Sequence, residues 1–288
     1  MRLLSWSSPR VRGNDIVLLM RHILIIGAGA IGAYLVRELH LAYPEARLSC
    51  IDRSDFVAAA GKRLKAIAGD KVEVYDRVAA VPPGVELAVE CGGHAAVTQH
   101  GEACLDAGYD LLVASVGALA DQALHDRLVA AAMRNNRKLL SPAGAVAGMD
   151  GLAAARLAGI DRVRYTSRKL PVAWKGTHAE TLCNLDAVTQ STDFLRTDAR
   201  QAATLFPQNA NVAATIALAG VGFEKTEVSL NADPAAQGNT HLLEVEGPCG
   251  SMRIELRNKP FPDNPKTSML AGLSLLRVIR NRSEAVQI

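Results

Sequence analysis

The chain of 288 residues has no cluster of lysines and arginines interleaved with aromatics; aromatic residues make up only 4% of it, and the formal net charge is a modest +3. A nucleic-acid partner, which needs a concentrated basic face, is therefore not expected, whereas a small anionic substrate needs only a local basic pocket. The five cysteines (Cys50, Cys91, Cys104, Cys183, Cys249) are odd in number, far apart and never spaced Cys-x-x-Cys. That spacing argues against a disulfide framework and against a metal site, and points to reduced thiols in a cytoplasmic protein. No apolar run reaches the roughly 20 residues of a membrane span, so no membrane association is expected. With 49% hydrophobic and 21% charged residues, the chain is too apolar for disorder and can fill one large or two ordinary domains. Internal repeats and low-complexity tracts are lacking as well. Residues 1–19 are basic and broken by Ser-Ser-Pro and Arg-Gly-Asn, and the patch Ile16-Val17-Leu18-Leu19 is too short for a signal-peptide core. They read as a disordered leader or, since Met20 stands directly before the first strand, as an over-long reading of the start.

What is present begins at His22. The apolar run His22 to Ile26 meets Gly27-Ala28-Gly29-Ala30-Ile31-Gly32, after which Ile31, Leu35 and Leu39 recur on one helical face. Such a strand, glycine turn and helix are the setting in which G-x-G-x-x-G cradles a dinucleotide. Gly27 allows the tight turn, Gly29 lets a pyrophosphate approach the backbone, and Gly32 lets the helix lie close to the strand. The phosphates would meet free N–H groups at the helix start, including those of Ala30 and Ile31, where the helix dipole favours negative charge. A second strand, Arg47 to Ile51, ends at Asp52, about 20 residues beyond the last glycine, where a carboxylate can accept both ribose hydroxyls. Arg53 and Ser54 beside it could instead receive a 2′-phosphate, so NAD and NADP both stay open.

From there strand and helix alternate: helix 56–68, strand 71–75, strand 87–91, helix 95–107, strand 110–115, helix 121–135 and strand 138–140. This rhythm specifies α/β architecture with a doubly wound parallel Rossmann sheet, its ligand lying beyond the carboxyl ends of the strands. Cys91 and Gly92 fall there, as do Ser115-Val116-Gly117. Neither Cys91 nor Cys104 reads as a nucleophile, because no basic partner is visible for either thiol. The small-residue stretch 141–148 reads as a crossing into a second α+β domain. Beyond it the segments 162–167, 191–195, 225–230, 241–246 and 251–256 alternate apolar with polar, as in a mixed or antiparallel sheet covered on one face. Helices over 199–205 and 210–220 would supply the cover. Asn264-Pro265-Lys266 reads as an N-cap and N1 proline opening a last helix, Thr267 to Asn281, whose face Met269, Leu270, Leu273 and Leu276 would return to the first domain.

Of seven histidines, His22, His40 and His125 read as structural, and His94 and His100 are too far apart on their helix for a zinc pair. His178, in a polar loop, reads either way. His241 follows a turn-rich loop into a strand, where a side chain can aim into an interdomain cleft or simply pack. Asn211, at the mouth of an alanine-rich helix behind Asn209, reads either as a first-turn residue or as a donor and acceptor for a bound amide or carboxylate. Arg168 and Lys169 read either as a clamp for substrate carboxylates or as a solvated strand end.

Taken together, Gly-Ala-Gly-Ala-Ile-Gly at 27–32, Val-Glu-Cys-Gly-Gly-His at 89–94, Ser-Val-Gly-Ala-Leu at 115–119, Pro-Ala-Gly-Ala-Val-Ala-Gly at 142–148, Phe-Pro-Gln-Asn-Ala-Asn-Val-Ala-Ala-Thr at 206–215, Ala-Asp-Pro with Asn-Thr-His at 232–241 and Asn-Pro-Lys-Thr-Ser at 264–268 resemble the L-aspartate dehydrogenase family. The resemblance covers about Met20 to Ile288. It implies oxidation of L-aspartate to iminoaspartate with NAD or NADP, followed by release of oxaloacetate and ammonia or delivery of the imine to pyridine nucleotide biosynthesis. It places the active-site histidine on His241 and nucleotide contacts on Ala145 and Asn211, the latter also offered to substrate. It further implies a homodimer, with residues 20–141 and 263–288 as the dinucleotide-binding domain and 142–262 as the substrate and dimerisation domain. An ordinary histidine pKa near neutrality would let His241 both accept and donate a proton. Two rivals remain: an imine reductase of the dihydrodipicolinate reductase kind, whose His-His cluster is not found, and a nucleotide-binding sensor without turnover.

Overall fold

A computed structural model describes residues 20–207, 210–261 and 264–287. The leader over 1–19, the N-cap reading of Asn209 and the domain boundary at 263 lie outside the described residues.

Six strands, β1 (His22–Ile26), β2 (Arg47–Ile51), β3 (Val72–Tyr75), β4 (Leu87–Glu90), β5 (Asp110–Val113) and β6 (Leu139–Leu140), pair in parallel in the order β3-β2-β1-β4-β5-β6. Both faces are covered at the centre of the sheet, so β1 is a continuous apolar run: Ile23, Leu24, Ile25 and Ile26 are all at most 1% exposed. The helices are α1 (Ala30–Ala42), α2 (Val57–Ala68), α3 (His94–Asp106) and α4 (Gln122–Arg134), the last capped by Asp121, whose carboxylate accepts from Leu124 N at 3.1 Å. Strand order reverses between β1 and β4, which opens a crevice at their carboxyl ends.

The second sheet holds β7 (Arg162–Lys169), β8 (Thr192–Asp198), β9 (Thr226–Ala232), β10 (Asn239–Gly247) and β11 (Gly250–Asn258) in the order β11-β10-β7-β9-β8. Only β7 and β9 run parallel; the other neighbours are antiparallel. Its apolar face packs under α5 (Met149–Ala158), the short α6 (Ala179–Leu182), α7 (Ala199–Leu205) and α8 (Ala210–Ala219). Helix α5 escaped the sequence reading because it buries only Leu152 and Ala155, too few for a visible period.

The last helix starts later than its sequence suggested. Residues 264–268 form a strand, β13 (Asn264–Ser268), that pairs antiparallel with β12 (Pro260–Phe261), and α9 covers Met269–Asn281. Ser268 is the cap, its hydroxyl accepting from Leu270 N at 3.3 Å; a serine directly before the apolar stretch serves as well as an asparagine four residues earlier. The buried face also differs: Leu275 and Ile279 are fully buried, whereas Leu273 is 38% exposed. They pack with Tyr34, Leu35 and Leu39 of α1, and Tyr34 meets Phe261 edge to face at 5.2 Å. Polar ties secure the same docking: Arg282 to Asp110 Oδ2 at 2.8 Å, Tyr43 to Ser283 at 2.6 Å, and Gly144 N to Ser274 Oγ at 3.0 Å. Ile279→Ala is expected to cost about 2–5 kcal/mol, read as a lower denaturant midpoint with an unchanged far-UV signal.

Candidate active site

The glycine loop is built as a phosphate cradle. Gly27 has φ +105°, and a Cβ there would stand 2.5 Å from Gly92 Cα. A Cβ on Gly32 would run into the Gly27 carbonyl oxygen. Around Gly29, by contrast, a Cβ would meet nothing within 4 Å, so two glycines make the close packing and the middle one faces open space. Among the described residues no side chain caps α1, and its first turn carries no acidic residue, which leaves the N–H groups of Ala30, Ile31 and Gly32 for an anion. These features fit a dinucleotide. Asp52 follows β2, its Oδ1 accepting from Arg53 N at 2.8 Å. The Arg53 guanidinium lies 4.2 Å from the Phe56 ring centroid and 3.6 Å from Asp55. Arg63 of α2 donates to the Ala28 carbonyl oxygen and ties the loop to that helix.

Across the crevice, Glu90 organises the ends of β4 and β5. Its carboxylate is 1% exposed and accepts from Gly92 N and Gly93 N at 2.8 Å, Ser115 N at 3.0 Å and Ser115 Oγ at 2.9 Å. Burial raises its pKa, and the four donors pull in the opposite direction. The sequence reading passed over Glu90 as part of an apolar run. A lone glutamate inside a buried strand before Gly-Gly was the available signal, because such a group must find partners. Cys91 donates its thiol to the Gly27 carbonyl oxygen at 3.5 Å, and desolvation pushes its pKa well up, so it is a protonated packing group of the loop.

Asn211 stands in the first turn of α8, and its Oδ1 accepts from Gly117 N at 2.9 Å. One carboxamide thus joins the helix to the loop after β5, at the crevice. Ala145 accepts from Asn258 Nδ2 at 2.7 Å, which holds the 141–148 loop against the end of β11.

His241 lies on β10 between Ser167 of β7 and Leu256 of β11. Because strand residues alternate faces, Tyr165, Ser167 and Lys169 share its side of the sheet. Tyr165 Oη is 2.7 Å from His241 Nδ1; the two residues are 1% and 7% exposed. Burial, reinforced by the Lys169 charge, lowers the His241 pKa to about 4. A histidine near neutrality, the sequence expectation, is therefore replaced by one that is uncharged throughout the working range. Lys169 takes over that range: its Nζ sits 4.8 Å from the centre of the Trp174 ring, and burial lowers its pKa to about 8. Arg168 is not brought to this group. β7 runs on to Lys169 rather than stopping before the basic pair, so Arg168 falls on the opposite face, 3.7 Å from Asp233. Trp174, fully buried and donating to Asn231 O at 3.0 Å, was also missed; nothing local distinguishes it from core.

Two family models match the chain: the homoserine dehydrogenase NAD-binding domain over residues 27–142 and the aspartate dehydrogenase C-terminal model over 150–282. The L-aspartate dehydrogenase of Ralstonia nicotianae is 42% identical over 269 residues, covering 93% of this chain and all of the relative. That of Serratia proteamaculans is 50% identical over 195 residues, 68% of this chain and 74% of its own. Among solved structures, the aspartate dehydrogenase of Thermotoga maritima superposes with a TM-score of 0.74 at 26% identity, covering 93% of this chain and 99% of that one. With a dinucleotide cradle in the first sheet, a buried histidine in the second and these relatives along nearly its whole length, the chain belongs to the L-aspartate dehydrogenase family.

Proposed function

We propose that the protein oxidises L-aspartate to iminoaspartate, which water converts to oxaloacetate and ammonia, and that it catalyses the reverse reductive amination. The observation that carries this reading is the placement of His241 and Lys169 on one buried sheet face, with Asn211 reaching from the same side to the nucleotide crevice. A bound NAD or NADP supplies the acceptor for the hydride leaving the substrate Cα. Asp52 favours NAD through the ribose diol, and Arg53 and Ser54 offer groups for a 2′-phosphate, so both nucleotides belong to the reading. Lys169 pairs with a substrate carboxylate. The uncharged His241 orients the substrate beside it, and Asn211 and Ala145 border the nicotinamide end. Residues 20–141 with 263–288 serve as the nucleotide domain and 142–262 as the substrate and dimerisation domain of a homodimer. The imine product is chemically suited to feed pyridine nucleotide biosynthesis.

Steady-state reduction of NAD and of NADP by L-aspartate tests this, with D-aspartate, L-glutamate and L-homoserine as controls. Turnover confined to L-aspartate is expected. Nucleotide binding without turnover on any amino acid would replace the enzyme by a sensor. Lys169→Met is expected to raise KM for L-aspartate roughly 10- to 100-fold with a smaller change in kcat, as for loss of a hydrogen bond to a charged group worth about 1.5–3 kcal/mol. In the wild type, KM should rise as pH passes about 8 and the lysine loses its charge.

A further inference from the structure

The histidine does not stand alone on its sheet face. Tyr165 Oη lies 2.7 Å from His241 Nδ1, and the two rings are stacked within 14° of parallel with centroids 6.0 Å apart. Both sit on neighbouring β7 and β10, so the contact is fixed by the sheet and not by a loop. Neutral imidazole carries one proton on one of two nitrogens, and the partner of Nδ1 decides which. A phenol is the stronger acid and an imidazole nitrogen the stronger base, so the shared hydrogen bond is O–H···N. Burial keeps the phenol protonated by raising its pKa, and the Ser167 hydroxyl, next on the same face, exerts a smaller opposing pull. Among the described residues, the charge acting on His241 is that of Lys169, whose cation favours the uncharged ring.

Resting on the dehydrogenase reading above, we propose that Tyr165 is a positioning residue that donates its hydroxyl proton to His241 Nδ1 and fixes the tautomer with the proton on Nε2. His241 then offers an N–H donor to its ligand, the bond an oxygen of the substrate carboxylate or a developing negative charge would accept. It does not offer a lone pair for removing a proton from the substrate ammonium. Proton removal falls instead to solvent, and the imidazole orients. The tyrosine also prevents the ring from flipping, because a flip would set carbon against the hydroxyl and leave a buried donor unpartnered.

Two measurements test this. The first is ¹⁵N NMR of histidine-labelled wild-type protein, with the His241 resonances assigned by their loss in His241→Asn. A hydrogen-bearing Nε2 with an unprotonated Nδ1 is expected, unchanged from pH 8 down to pH 6. A protonated Nδ1, or a mixture of tautomers, overturns the proposal whether or not aspartate is the substrate. The second is Tyr165→Phe, which keeps the ring and its stacking. Its kcat should fall at least about tenfold, in the manner of wrong-tautomer variants of catalytic histidines, while NADH affinity stays within about twofold and the NMR signature becomes a tautomer mixture. Wild-type kcat in Tyr165→Phe overturns the proposal. Should that variant fail to fold, the wild-type spectrum alone decides. Absence of turnover in the wild type itself would count against the aspartate reading and leave the tautomer result standing on its own.

Discussion

His241→Ala is expected to lower kcat/KM for L-aspartate by about 10²- to 10³-fold, the usual loss when a positioned hydrogen-bond donor at the reacting centre is removed. NADH affinity should stay within about twofold of wild type. The separation follows from placement: His241 lies in the second sheet, bonded to Tyr165 and paired with Ser167, away from the glycine loop after β1 in the first sheet. Removing the ring takes away the acceptor of the buried Tyr165 hydroxyl proton, so some stability, about 1–3 kcal/mol, is lost as well. His241→Asn keeps a polar group there and serves as the folding control. A parallel collapse of nucleotide affinity and turnover would show that the histidine supports the crevice and does not act on substrate.

The three glycines of the loop should fail in different ways. Gly27→Ala forces a side chain onto a backbone at φ +105° and against Gly92, costing about 2–6 kcal/mol from backbone strain and overpacking together. Tm should fall by roughly 5–20 °C, with nucleotide binding lost alongside. Gly32→Ala should behave alike, since its Cβ would strike backbone. Gly29→Ala meets open space at an ordinary φ of −67°, so Tm should hold. Its methyl occupies the room of a pyrophosphate, and NADH affinity should fall roughly 5- to 150-fold, corresponding to about 1–3 kcal/mol of overpacking. Equal thermal losses in all three variants would remove the assignment of Gly29 to ligand approach.

The first sheet was readable because its central strands are buried on both faces and α1 and α3 begin at glycine turns; both are local signals. The strands of the second sheet were visible as alternation, but their order and the parallel pairing of β7 with β9 depend on contacts far apart in sequence. Helix α5 and the Ser268 cap were lost to weak periodicity and to a competing Asn-Pro signal. Asn211 and His241 were singled out as places to look, yet neither the Gly117 contact nor the Tyr165 contact has any local signature. Burial, which lowers the His241 pKa to about 4, is a property of the packed sheet and not of the segment around the residue. The division between Arg168 and Lys169 was within reach: neighbours in a strand face opposite ways, and extending β7 by two residues separates them.

The most direct measurement is transfer of label from L-[2-²H]aspartate to the nicotinamide ring, followed by mass spectrometry of the reduced nucleotide formed on the purified protein. One deuterium per reduced nucleotide, with oxaloacetate appearing in equal amount, is the predicted result. Reduced nucleotide without deuterium, or no reduced nucleotide while NADH binds, would contradict oxidation at the aspartate Cα.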